Sequence, residues 1–159
     1  MRVPVLLSLL LVAGGLLAAC AGRAGDSPLP EGGTDLTVRD LGHWTAGRFD
    51  QPARRLIRSA SAWAAAWDSL GEGERPAVDF TRETVVLAAA GERRTGGYTL
   101  AVAGVRDSAG TLVVTVIERA PGTRCMAVSA ITHPATAVAV PVVARPARFV
   151  DRREVNECG

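Results

Sequence analysis

The sequence contains no lysine, and all 18 of its strongly basic residues are arginines. They are nearly balanced by 16 acidic residues, so that the 159-residue chain has a formal net charge of +2. The adjacent arginine pairs lie far apart, at 54–55, 93–94 and 152–153. A nucleic-acid-binding surface needs a concentrated patch or stripe of positive charge. The charge pattern therefore indicates no nucleic-acid partner.

Side chains suited to catalysis are also scarce. The only histidines are His43 and His133, and neither lies near a nucleophile motif such as GxSxG or SxxK. Glycine-rich nucleotide-binding patterns are missing from the sequence as well. Cys125 is eight positions from His133, but a disulfide with Cys158 is a simpler fate for its thiol. We therefore expect no enzymatic activity, no cofactor and no small-molecule substrate.

The first 20 residues, MRVPVLLSLLLVAGGLLAAC, have the order of features of a lipoprotein signal peptide. Arg2 precedes an apolar run over 5–17, which is short for a transmembrane helix but suits a signal sequence. The small residues before Cys20 resemble a bacterial lipobox. We predict a signal peptide over 1–19 and a lipid on Cys20. An ordinary secretory signal or an uncleaved anchor is the alternative.

The lipobox also predicts where the protein resides. A lipid on Cys20 implies attachment to the cell envelope on the side facing away from the cytoplasm. Ala21 follows the cysteine, which favours the outer membrane in a cell that has one. Export to an oxidising compartment favours a disulfide between Cys125 and Cys158, with two reduced, buried thiols as the alternative. Neither cysteine has the spacing of a metal site.

The segment after Cys20 differs in composition from the rest of the protein. Residues 20–37 are rich in glycine, proline and small polar residues and show no hydrophobic periodicity. This composition is typical of a flexible tether. No second linker follows it, so we predict a single domain over 38–159.

One helix is predicted in the first half of this domain. Apolar side chains recur at spacings of four and three residues up to residue 70, which indicates a helix over about 61–70. Ser59 or Ser61 is suited to cap its N-terminus. For the segment before Ser59 a short strand is the alternative. Trp63 and Trp67 share one face of the helix. We interpret them as an anchor that packs the helix on a sheet, an aromatic binding patch being the alternative.

From residue 78 onward the sequence has β character. We predict strands over 84–89, 98–105, 112–117, 126–131, 137–143 and 147–150. The segment DSAG at 107–110 predicts a turn. Short strands separated by turns favour a mainly β (α+β) fold: an antiparallel β-sandwich or open barrel with one short amphipathic helix packed on it.

Several short motifs follow one another in this β region: Asp79-Phe80, a valine-rich strand, Gly91-Glu92, Thr95-Gly96-Gly97-Tyr98 and Thr132-His133-Pro134. With this order, residues 76–143 resemble the PrcB C-terminal domain family. The namesake of that family is a lipoprotein subunit that stabilises a secreted protease complex. The resemblance implies a protein-interaction role at the cell envelope and no reaction. Together with the lipobox, it leads us to predict a lipid-anchored protein that binds or stabilises a partner protein, with a secreted protease as the expected partner.

The most distinctive part of the resemblance is a polar loop between two apolar runs. We predict an interaction loop at an exposed tip, consisting of Arg93, Arg94, Thr95, Gly96, Gly97 and Tyr98. The two glycines permit the positive φ angles of a tight connection between strands. The alternative is a purely structural hairpin in which Tyr98 packs locally.

A second functional interpretation concerns the same loop. Thr95–Tyr98 more loosely resembles the TTGY loop of chagasin-like inhibitors, which enters the cleft of cysteine proteases. In those inhibitors the motif begins with Asn-Pro, whereas this sequence has Arg93 and Arg94 at that place. A protease inhibitor acting through Thr95–Tyr98 is therefore the alternative function.

Overall fold

The computed structural model describes residues 32–71 and 73–158. Over these residues the protein forms one helix and eight strands: β1 (Thr34–Asp35), β2 (Arg39–Trp44), β3 (Ala53–Ile57), α1 (Ala60–Leu70), β4 (Glu83–Ala89), β5 (Thr99–Ser108), β6 (Thr111–Pro121), β7 (Ala135–Pro141) and β8 (Ala147–Asn156). The predicted mainly β fold with one helix is confirmed. The predicted signal peptide and Cys20 lie outside the described residues.

The strands form two separate four-stranded sheets that pack face to face, which selects the sandwich of the two predicted arrangements. The inner sheet has the strand order β2-β7-β4-β3, and all its pairs are antiparallel. The outer sheet has the order β1-β5-β6-β8, with β8 parallel to β6. The helix packs against the inner sheet only, so the domain is layered as helix, inner sheet and outer sheet.

The inner sheet is covered on both faces, and the sequence of β4 shows why. Successive side chains of a strand point to opposite faces. In β4, Val85 and Leu87 belong to the core beneath the helix, whereas Val86 and Ala88 belong to the core between the sheets. An unbroken apolar run therefore fills both cores at once, and β4 and β7 are the most buried strands of the described residues.

The helix begins and ends where its sequence predicts. The hydroxyl of Ser59 accepts a hydrogen bond from the backbone N–H of Ala62 at 3.2 Å, which caps the N-terminus. Gly71 follows the last turn with φ +142°, a value that favours glycine. Trp63 is almost completely buried against the inner sheet, and Trp67 packs edge-on against it. Both tryptophans therefore anchor the helix, as the sequence indicates.

The β5–β6 hairpin forms the centre of the outer sheet. Ala109 and Gly110 both have positive φ angles, +46° and +82°, as a two-residue hairpin turn requires. This is the turn that the DSAG segment predicts. β8 runs along β6 for ten residues, through Asn156, and is longer than the predicted strand over 147–150. Residues 151–154 of β8 are all charged and give no strand signal in the sequence, but they pair with β6.

Two predictions from the sequence differ from the structure: the end of the tether and the strand over 126–131. Thr34 and Asp35 fall within the predicted tether over 20–37, but they pair with β5 and belong to the folded domain. The predicted strand over 126–131 is wrong, because these residues form an exposed loop without a neighbouring strand. High valine and isoleucine content predicts a strand only where a sheet edge is available to pair with it. No helix of the described residues is long and apolar enough to span a membrane.

Candidate protein-interaction site

The predicted interaction loop has a different topological role from the one expected. It joins β4 of the inner sheet to β5 of the outer sheet and therefore crosses between the two layers instead of forming a hairpin tip. Of its two glycines only Gly97 has a positive φ angle, +84°. Gly96 is buried, and a Cβ atom there would lie 3.2 Å from Cγ2 of Val128. Gly96 thus packs closely against Val128, and Gly97 has the backbone conformation that favours glycine.

The crossing loop is bound to a second loop that precedes β7. Arg93 and Thr132 exchange two backbone hydrogen bonds of 2.7 and 2.9 Å. The backbone N–H of Gly96 donates to the carbonyl of Val128 at 2.9 Å, and the hydroxyl of Thr132 donates to the carbonyl of Thr95 at 3.0 Å. We call the two segments together, residues 91–98 and 122–133, the loop platform.

Arg93 holds the platform to the outer sheet. Its guanidinium group donates two hydrogen bonds, of 2.8 and 2.9 Å, to the carboxylate of Glu118 on β6. Both side chains are largely buried, with 24% and 17% of their surface exposed. These hydrogen bonds lower the pKa of Glu118 and raise the pKa of Arg93. Arg93 also lies over the ring of Tyr98, with its Cζ atom 5.6 Å from the ring centre.

These contacts divide the predicted interaction residues into two groups. Arg93, Thr95 and Gly96 have structural partners within the domain, so the expectation that both arginines lie free at an exposed tip is wrong for Arg93. Arg94 is exposed, and no ion pair involves it among the described residues. The sequence does not reveal this difference because Glu118 lies 25 positions further along.

The platform carries exposed apolar side chains that the sequence motifs do not single out. Met126, Val128 and Ile131 have 103%, 72% and 64% of their surface exposed. They make up half of the six large apolar residues that are exposed in the described part of the protein, within a span of six residues. The apolar residues between Cys125 and Pro134 are the sequence signal for this exposed group, but the same residues also favour a strand.

The disulfide fixes the start of this apolar loop. Cys125 and Cys158 are bonded, as the cysteine count predicts, and the bond ties the loop to the segment after β8. Next to it, the backbone N–H of Gly122 donates to the carbonyl of Asn156 at 2.9 Å. The far end is held by Thr132. The exposed apolar residues therefore lie on a loop fixed at both ends, which lowers the entropy cost of binding.

His133 is the last residue of the loop platform, with only 17% of its side chain exposed, and His43 lies on β2, outside the platform. Nδ1 of His43 is 3.3 Å from the carbonyl oxygen of Leu100. Nε2 of His133 lies 3.3 Å from a carboxylate oxygen of Asp50, without the alignment of a hydrogen bond. No group of three or more potential metal ligands occurs within residues 32–71 and 73–158. With Cys125 in a disulfide, its sulfur is not available as the partner of His133.

Comparison with known families supports the resemblance noted in the sequence. Residues 84–141 match the family described as PrcB C-terminal, a range that begins at the second residue of β4, ends with β7 and contains both segments of the loop platform. Neither curated proteins nor solved structures gave a significant match. The resemblance to the PrcB C-terminal family is therefore confirmed over residues 84–141.

Proposed function

We propose that this protein binds a partner protein in a protease complex and that the loop platform is the binding surface. The family name suggests association with a protease complex. The single observation that carries the choice of surface is the exposure of Met126, Val128 and Ile131 on a loop fixed at both ends. Exposed apolar groups gain about 25 cal/mol for each Å² that a partner covers.

The residue types on the platform suit a protein partner. Methionine and arginine are enriched in protein interfaces, and a few such residues usually provide most of the binding energy. Here the apolar side chains are flanked by exposed Arg94 and Arg124. The nearest carboxylate to Arg124 is that of Glu157, at 3.9 Å. A partner with an apolar patch bordered by acidic residues would complement this surface.

The proposal also covers where the protein acts and what it does to the partner. We propose a lipid on Cys20 that holds the domain at the cell envelope, and a secreted protease as the partner. A disulfide between Cys125 and Cys158 is consistent with an oxidising compartment. Stabilisation of the protease is better supported than inhibition. Thr95 and Gly96 are held against the neighbouring loop, so Thr95–Tyr98 does not project as a tip that would enter a cleft.

The test compares two sets of exposed apolar residues in the full-length protein, expressed in its own envelope. Met126→Ser/Ile131→Ser removes two platform side chains that are not needed to hold Gly96. Val142→Ser is the matched control, because Val142 is 50% exposed and lies outside the platform. We expect cross-linking and affinity purification to recover a protease with the wild type and the control. Recovery should fall about tenfold with the double variant, at an unchanged melting temperature.

Two further measurements separate the parts of the proposal. Equal recovery of the protease by the double variant and the control would exclude the platform as the binding surface. A recovered protease that is active and longer-lived supports stabilisation, whereas a blocked active site supports inhibition. Mass spectrometry of the N-terminal peptide tests the lipid on Cys20 independently of the partner.

A further inference from the structure

The outer sheet has a groove on the face turned away from the inner sheet. Its volume is ≈ 480 Å³, which lies within the range of ligand-binding clefts. Its lining includes Leu36, Val38, Gly104, Arg106, Val113 and Arg152. The groove lies towards the Ala109–Gly110 turn of the hairpin, whereas the loop platform is at the opposite end. It is therefore separate from the surface proposed above.

The short first strand creates the groove. β1 pairs with β5 at only two residues, and the last backbone hydrogen bond, from Leu36 to Val105, is 2.8 Å long. The backbone then leaves for β2 in the inner sheet. Among the described residues, no strand pairs with the edge of β5 over residues 99–104, where the carbonyl of Leu100 lies 3.3 Å from Nδ1 of His43. Open strand edges present unpaired N–H and carbonyl groups and are therefore able to accept a further strand.

Gly104 keeps the floor of the groove open. It follows a register shift between Val102 and Gly104 that marks a β-bulge in β5. A Cβ atom at Gly104 would meet nothing within 4 Å, and the φ angle there is not positive. A side chain at this position would consequently occupy the groove without strain in the backbone. Such empty space above a strand suits the close approach of another polypeptide.

The charges around the groove are unequal. Arg106 is already neutralised by Asp35, to which it donates hydrogen bonds of 2.8 and 3.1 Å. Arg152 is exposed and makes no ion pair with any described residue. On the opposite side, Leu36 and the exposed Val38 form an apolar wall. The groove thus combines an apolar wall, an open backbone edge and an unneutralised cation.

We propose that this groove binds an extended peptide segment of a partner protein, one that carries an aliphatic group near a carboxylate. The aliphatic group would contact Leu36 and Val38, and the carboxylate would pair with Arg152. The open edge of β5 favours a peptide over a small carboxylate, because only a peptide backbone uses its N–H and carbonyl groups. The carboxylate belongs either to an acidic residue of the peptide or to its free carboxyl terminus.

The experiment uses the full-length protein and a library of random octapeptides, synthesised with free and with amidated carboxyl termini. Gly104→Trp fills the groove and should weaken the binding of the selected peptides about tenfold or more. Arg152→Gln should weaken it about threefold to tenfold by removing the charge. Arg148→Gln is the matched control, since Arg148 is exposed on the same face of β8 but does not line the groove. We expect the control to change binding less than about twofold.

The outcomes separate this site from its alternatives. Enrichment of aliphatic peptides bearing a carboxylate, with binding lost in Gly104→Trp at an unchanged melting temperature, supports the proposal. Selected peptides that bind Gly104→Trp and the wild type equally would overturn it. Displacement of the peptides by an equal concentration of octanoate would assign the groove to small carboxylates and would also overturn it. Recovery of the protease through the platform should stay unchanged in Gly104→Trp.

Discussion

Strands β7 and β8 lie in opposite environments. β7 lies in the middle of the inner sheet and is buried at every position except Pro141. β8 lies at the edge of the outer sheet and is mostly exposed. Within residues 32–71 and 73–158, the inner sheet is covered by the helix and by the outer sheet, whereas the outer sheet is covered on one face only. Stability is therefore concentrated in one sheet, and the surfaces available for binding lie on the other sheet and its loops.

Removal of the helix anchor should produce the largest loss of stability. Trp63 is buried beneath the helix, and its Nε1–H donates to the carbonyl of Pro76 at 3.1 Å. We expect Trp63→Ala to lower the free energy of unfolding by about 3–5 kcal/mol. Urea unfolding measures this change. Trp67→Ala is the control, and its loss should be smaller because Trp67 is only partly buried. Equal losses would contradict the assignment of the main anchor to Trp63.

Removal of the disulfide tests how firmly the exposed platform is joined to the sandwich. The bond closes a loop with a sequence separation of 33 residues. Cys125→Ser/Cys158→Ser should lower the free energy of unfolding by about 3–4 kcal/mol, mainly by freeing the unfolded polypeptide. Chemical unfolding with and without reductant is the measurement. Reductant should destabilise the wild type and leave the double variant unchanged; an effect on both would point to another cause.

The two neighbouring arginines allow a sharper comparison. Arg93→Ala leaves the largely buried Glu118 without its partner and should cost about 2 kcal/mol. Arg94→Ala removes an exposed side chain and should change stability by less than about 0.5 kcal/mol. Thermal unfolding of both variants distinguishes them. In the protease-recovery assay we expect the order to reverse, with Arg94→Ala weakening binding while the folded fraction is unchanged.

The Arg93–Glu118 pair also predicts a dependence on pH. Because Arg93 lowers the pKa of Glu118 in the folded protein, the ionised pair stabilises the fold fully above the unfolded-state value of about 4.3. This contribution is lost as the pH falls through the lower folded pKa. The stability difference between wild type and Arg93→Ala should therefore shrink below about pH 4. A difference that stayed constant down to about pH 2 would show that the pair acts through packing alone.

One substitution between the two sheets should increase stability. The hydroxyl of Thr136 is buried between the two sheets and has no hydrogen-bond partner in the part of the chain that the structure describes. Thr136→Val keeps the shape of the side chain and removes the cost of burying this hydroxyl. We expect the free energy of unfolding to rise by about 1 kcal/mol. Urea unfolding checks this, and a loss of stability would indicate that the hydroxyl has a partner in solution.

The helix and the central strands could be predicted because their signals are local. Trp63, Trp67 and Ser59 lie within nine residues of one another, and the apolar run of β4 needs no partner to be recognised. The charged half of β8 could not be predicted, since Arg152 and Arg153 become part of a strand only through pairing with β6. Exposure on both faces removes the alternation that identifies a strand.

The candidate sites depend on contacts between distant residues. The loop over 93–98 could be selected by its glycines, but its attachment to residues 128–132 is visible only in three dimensions. The composition around Met126 and Ile131 is typical of a strand. Composition does not show whether a sheet edge is free to pair with these residues, so the predicted strand is wrong. The groove at Gly104 depends on where β1 separates from β5, which has no signature in the sequence.

The hydrogen bond between Ser108 and Gly32 shows at which end of the sandwich the described residues begin. The hydroxyl of Ser108 donates to the carbonyl of Gly32 at 2.8 Å, so the described residues enter the sandwich beside the Ala109–Gly110 turn. The 11 residues of β6 then lead away from this turn to the platform, a distance of about 35 Å. The part of the chain before Gly32 therefore joins the domain at the end away from the platform. A tag placed after Cys158 would instead crowd the platform, so immobilisation from the N-terminal side suits any binding measurement.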